Sequence, residues 1–152
     1  MTDPLAMPSK TPRYALPLLF PGQAQKEFAV NAAHALADFL IHPAIEGVAA
    51  EPPGGAADGS TWLVAMGASG AFAGQAGKLA SLQAGTWVFA APRDGLRVLD
   101  RQTGQHILFA GDWRRPAAPP APQGGPVVDS EARAAIAALV AALREARIFP
   151  QP

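Results

Sequence analysis

Five short runs between Thr61 and Ala110 constrain this chain most. Thr61–Ala65, Lys78–Gln83, Thr86–Ala90, Leu96–Asp100 and Gln105–Ala110 are each five or six residues of mixed apolar and polar character. They are separated by Gly67–Gly70 (GASG), Ala84-Gly85, Pro92–Gly95 (PRDG) and Arg101–Gly104 (RQTG). Runs this short, bounded by Gly, Pro and Asp, read as strands rather than helices. Asp94-Gly95 and Thr103-Gly104 supply the backbone freedom that tight turns need. Strands joined by such short turns pair antiparallel, since a parallel neighbour needs a long crossover. The spacing therefore predicts a mainly-β α+β chain: a small antiparallel meander or sandwich with a helix packed on it.

Gly59–Ala65 (GSTWLVA) and Ala84–Ala90 (AGTWVFA) echo one another around a Thr-Trp pair, as do Ala71–Gly74 (AFAG) and Leu108–Gly111 (LFAG). The echo suggests two related β-units packed together, with Gly111–Trp113 as a possible third start.

Before the strands, Gln23–Ile41 has helical periodicity. Phe28, Ala32, Leu36 and Phe39 share one face, and Glu27, Asn31, His34 and Asp38 form the opposite, wet stripe. His42-Pro43 ends it, because the residue before proline avoids the helical region. Residues 1–15 read as an irregular arm broken by Pro4, Pro8 and Pro12. Residues 16–115 form the core domain.

After it, residues 116–127 make a spacer rich in Pro, Ala and Gly, unable to form helix or central strand. Residues 128–149 then hold a second helix, capped by Asp129 or Ser130, and 150–152 are a tail. Ala132, Ile136, Leu139, Leu143 and Ala146 fall at 4-3-4-3 spacing, the seam of a coiled coil. Barely two heptads long, this helix needs something to pack against. These seam residues are the expected oligomer or partner interface. Trp113, Arg114 and Arg115 join them because they adjoin the spacer, while Trp62 and Trp87 read as core anchors.

Of the 152 residues, 12 are Lys or Arg and 12 are Asp or Glu, so the net charge is zero. No positive field gathers phosphates, and nucleic acid is not an expected partner. Charged residues are only 16% of the chain, and a surface so poor in charge suits burial against other subunits. With no cysteine, disulfides, thiolate metal sites and a Cys nucleophile are excluded. No apolar run is long enough to span a bilayer, and the N-terminus lacks the apolar stretch of a secretory signal.

Signs of chemistry are few. His34, Asp38 and His42 lie at i, i+4 and i+8, but eight helical residues rise about 12 Å, too far for one metal ion to hold all three. A solvated helix face is the preferred reading, and no metal or cofactor is expected. No Gly-x-Ser-x-Gly elbow exists, since position 71 is Ala, and the glycines at 67, 70, 74 and 77 match no phosphate-binding fingerprint. No catalytic residue is proposed.

Leu16–Leu19 (LPLL), Pro21–Glu27 (PGQAQKE), Val30-Asn31, His42-Pro43, Ala57–Gly59, Trp62–Val64, Ala71–Gly74 and Pro92–Gly95 together resemble a domain-of-unknown-function family. That family occurs in alphaproteobacterial prophages and gene transfer agents. Asp129–Ile136 resembles the C-terminal helices of related particle proteins. The resemblance implies a virion component, either a head-spike base or a fibre-attachment protein. It would form a homo-oligomer and dock on capsid, spike, fibre or tail proteins. A short chain suits the base better than a complete receptor-binding fibre. It also implies residence in a phage-like particle after synthesis in the bacterial cytoplasm. No catalytic residues are defined for the family. The alternative expectation is a carbohydrate-binding module touching host surface polysaccharide through exposed aromatics; an envelope-degrading hydrolase comes third.

Overall fold

The computed structural model describes residues 14, 16–19, 22–123 and 129–151. Most of the expected arm (1–15), part of the spacer (124–128) and Pro152 lie outside them.

Helix α1 spans Lys26–Ile41. It begins three residues later than its periodicity suggests, because Gln25 enters in the left-handed conformation (φ 54°, ψ 44°). Only its second half is packed: Phe39 is buried, with Leu36 and Leu40 beside it. Phe28, expected on the buried face, is 65% exposed, and Ala32 is exposed too. The reason is geometric, since α1 lies against the sheet only where its C-terminal turns meet the strand Thr86–Ala90.

The eight strands that follow are β1 (Ala44–Ile45), β2 (Val48–Ala49), β3 (Thr61–Val64), β4 (Leu79–Gln83), β5 (Thr86–Ala90), β6 (Arg97–Asp100), β7 (Gln105–Ala110) and β8 (Asp112–Arg114). A single 3₁₀ turn, Gly70–Phe72, sits between β3 and β4. The five expected strands match β3 to β7 within a residue at each end. The fold is mainly-β α+β, with two four-stranded mixed sheets ordered β2-β3-β4-β5 and β1-β6-β7-β8.

Each sheet contains the expected antiparallel meander, β3-β4-β5 or β6-β7-β8. Each also carries a two-residue parallel strand on the flank of its first meander strand, and these the periodicity did not foretell. Two residues show no period, so nothing in the sequence marked them. Both come from one extended segment, residues 43–49, which stitches the sheets together. The Leu99 amide donates to the Pro43 carbonyl (2.9 Å) and Arg101 to Ile45 (3.0 Å), joining β1 to β6. Leu63 donates to Gly47 (3.0 Å) and Ala65 to Ala49 (2.8 Å), joining β2 to β3.

The two sheets thus share one connectivity, yet the sequence echo does not map onto it. Trp62 and Trp87 lie on the first and third strands of the same meander. The expectation of two related packed units holds for the topology and not for the Thr-Trp motif.

Between the sheets, Ile45, Leu63, Leu79, Ala90, Val98 and Ile107 are buried together with Phe39 from α1. On the other face of the first sheet, Val64, Phe72 and Ala80 form a second core, with Trp62, Trp87 and Phe89 packed around it. Phe72, carried by the 3₁₀ turn, meets Trp87 and Phe89 edge-on at ring-centroid distances of 4.9 and 5.9 Å. The expected core role of Trp62 and Trp87 agrees with this packing, although both stay half-buried. Among the described residues no helix is long and apolar enough to cross a membrane.

Candidate functional site

Helix α2 covers Ser130–Glu145. Asp129 caps it by accepting from the Ala132 amide at 2.9 Å, and Glu131 sits in the first turn, where a carboxylate complements the helix dipole. At the other end Arg147 turns left-handed (φ 60°). There the Ile148 amide bonds the Leu143 carbonyl (2.9 Å) and the Arg147 amide bonds Arg144 (2.8 Å), a Schellman closure made without glycine.

Residues 147–151 then strap the helix end onto the turn between β6 and β7. β8 pairs only with Leu108–Ala110, so the backbone edge at His106 is open. The His106 amide donates to the Arg147 carbonyl at 2.6 Å, and the Gln151 amide to Thr103 at 2.9 Å. Gln105, buried, donates from Nε2 to the carbonyls of both Pro116 (3.0 Å) and Ile148 (3.2 Å). Arg147 Nη1 donates to the Gly104 carbonyl (3.1 Å).

The spacer folds back as well. Pro119–Pro122 lie along Arg133, Ile136, Ala137, Val140 and Arg144, enclosing a groove of about 330 Å³, and Arg133 Nη1 donates to the Pro122 carbonyl (2.6 Å). The described part of the spacer thus covers one flank of α2.

The seam lies on the adjoining flank and shares Ile136 with that groove. Leu139 is 64% exposed; Ile136, Ala132 and Ala146 are exposed, and Leu143 is half-buried beside the strap. No residue of α2 is buried. The helix is therefore held at its end and along one side, with its apolar seam turned to solvent.

Trp113, Arg114 and Arg115 part company with it. Trp113 packs on the main core, stacks edge-on with Phe109 at 5.3 Å, and donates Nε1 to the Gly77 carbonyl (2.9 Å). Its indole is turned inward, a correction to its expected outward aspect: β-pairing of Asp112–Arg114 with β7 alternates side chains, and position 113 falls on the inner face. Arg115 ion-pairs with the buried Asp100 and is committed to the fold. Arg114 is exposed as Arg115 is, but among the described residues its side chain makes no hydrogen bond or ion pair.

Two further concavities lie away from α2. Glu46, Pro53, Gly54, Gly55, Ala56, Ala57, Ser60 and Trp62 line an open one of about 540 Å³, and Trp62 Nε1 is buried with no hydrogen-bond acceptor among the described residues. Glu46 on its wall pairs with Arg101 at 3.3 Å. The other follows the wet stripe of α1: Asn31, His34 and Asp38 beside Gln83. His34, Asp38 and His42 are solvent-exposed, and among the described residues no group of three or more His, Cys, Asp or Glu could hold a metal ion.

Sequence reasoning missed the strap residues Gln105, Arg147 and Gln151. The apolar Ile148-Phe149 directly after the last helical turn was the available signal, since an apolar pair just past a helix end commonly packs back.

A family model described as a protein of unknown function (DUF2793) matches residues 30–114, more than half of the chain and the whole of both sheets. No curated protein matches it.

Proposed function

The chain belongs to the DUF2793 family of proteins of unknown function, and from that premise we propose that it is a structural docking protein of a phage-like particle, not an enzyme. Its role is that of a head-spike base or a fibre-attachment protein. One observation carries the reading: α2 is capped, strapped and flanked, yet among the described residues Leu139 and much of Ile136 stand exposed on its apolar seam. An apolar stripe held rigidly in solvent suits a permanent partner, because the ordering cost of the helix is met before binding. The low charge of the chain points the same way. The particle context rests on the resemblance of Leu16–Glu27 and the strand motifs to virion proteins.

Fractionation of phage-like particles from a producing bacterium tests it. The protein should co-sediment with capsid protein, and Leu139→Asp should deplete it from that fraction while leaving the soluble protein folded. Recovery of the wild-type protein only from the soluble fraction would overturn the assignment.

A second reading, a carbohydrate-binding module, is favoured by the Trp62 concavity, which Trp62 lines together with Glu46 and Ser60. Aromatic faces with neighbouring polar groups suit sugar rings. Binding on a polysaccharide array that disappears with Trp62→Ala, in a variant that stays folded, would support it.

A further inference from the structure

We propose that α2 pairs antiparallel with the α2 of a second copy of this chain, which deepens the docking reading above and rests on it. Three features of the helix specify that occupant. The seam runs Ala132, Ile136, Leu139, Leu143, Ala146: small, large, large, large, small. An antiparallel copy in the register that sets Ile136 beside the partner's Leu139 also sets Ala132 beside the partner's Leu143. Bulky side chains then meet small ones at the flanks and one another at the centre, as interdigitating layers require.

Charge gives the direction. The N-terminal end holds Asp129 and Glu131 against Arg133, and the C-terminal end holds Arg144 and Arg147 against Glu145. Each end therefore carries one net charge, of opposite sign. Antiparallel pairing brings the acidic end against the partner's basic end and opposes the helix dipoles, whereas a parallel pair would stack like ends.

The third feature is stoichiometry. Pro119–Pro122 cover the Arg133–Val140–Arg144 flank, and the strap fixes the C-terminal end. Among the described residues these contacts leave the seam side of the helix uncovered, where one further helix can lie. Ala135 and Ala142 bordering the seam allow the two backbones to approach closely.

The chain has no cysteine, so introduced thiols report pairing without background. Mild oxidation of a mixture of Ala132→Cys and Leu143→Cys proteins should give a disulfide-linked dimer. Ala132→Cys alone should not, because the two copies of residue 132 would lie ~16 Å apart along an antiparallel pair, beyond the roughly 7 Å between Cα atoms that a disulfide spans. Light scattering should show a dimer that Leu139→Asp converts to monomer with unchanged circular dichroism. Cross-linking of Ala132→Cys with itself would overturn the orientation. A monomer at high micromolar concentration would overturn the pairing altogether. If such a monomer still needs Leu139 to enter particles, the docking reading stands and only this inference falls. If the cross-linked dimer forms but never enters particles, the pairing stands and the particle reading falls.

Discussion

The guanidinium of Arg115 ion-pairs with the carboxylate of Asp100, a side chain only 2% exposed on the inner end of β6. The other carboxylate oxygen accepts from the Gln102 amide at 2.9 Å and sets the turn into β7. One acidic residue thus anchors both the β6–β7 turn and the chain leaving β8.

Removing the cation alone leaves a buried charge without its partner. Arg115→Met should therefore destabilise by about 2 kcal/mol, below the usual cost of breaking a fully buried pair because a third of the arginine side chain reaches solvent. Asp100→Asn in the same background should recover part of that loss, since Asn keeps an oxygen for Gln102. Urea unfolding of the two single variants and the double variant measures the coupling; strictly additive losses would refute it.

Trp113 ties β8 to the loop before β4 through its hydrogen bond to Gly77, and stacks on Phe109 of its own sheet. Trp113→Phe keeps an aromatic ring and loses the bond, at about 1 kcal/mol. Trp113→Ala should cost about 3–5 kcal/mol. Thermal unfolding with Trp62 and Trp87 as remaining fluorophores reads both. A neutral Trp113→Ala would mean the indole faces outward after all.

Phe72 is fully buried beneath Trp87 and Phe89, although it sits in a 3₁₀ turn and not in a strand. Phe72→Ala should cost about 3–5 kcal/mol and expose the outer face of the first sheet. Increased binding of a hydrophobic dye alongside the lowered unfolding midpoint would confirm that this loop is a lid on a real core.

Gly104 is left-handed (φ 65°), and a Cβ there would meet Gln151 Cγ at 2.7 Å and Arg147 Nη1 at 2.9 Å. Gly104→Ala should cost about 1 kcal/mol from the backbone alone and push the strap off. Hydrogen exchange at the His106 amide, which donates to Arg147, should rise by about an order of magnitude while the β3–β5 amides are unchanged. Equal loosening everywhere would show that the strap has no separate stability.

Much of the fold was legible because its signals are local. Asp129 capping α2 and Asp94-Gly95 turning β5 toward β6 follow from what those side chains can bond and which dihedrals they accept. The limits of β3 to β7 follow from the same punctuation. Phe28 was misread because helical spacing shows which residues share a face and not how far along the helix the neighbouring sheet extends. Trp113 was misread because its neighbours Arg114 and Arg115 suggested a surface, when the pairing of β8 on β7 decides which side it takes. The candidate docking seam was visible as spacing alone; its exposure was not.

By itself, the sequence determined the strand-and-turn rhythm, the two helices, the spacer's refusal of regular structure and the neutral, cysteine-free character of the chain. These depend on interactions within a few residues. Tertiary structure decided that residues 43–49 stitch two sheets together, that Arg115 is held by Asp100, and that the tail straps α2 to Thr103–His106 with its seam outward. Each depends on partners tens of residues away, and no local pattern encodes which distant backbone edge is left open for the chain to fill.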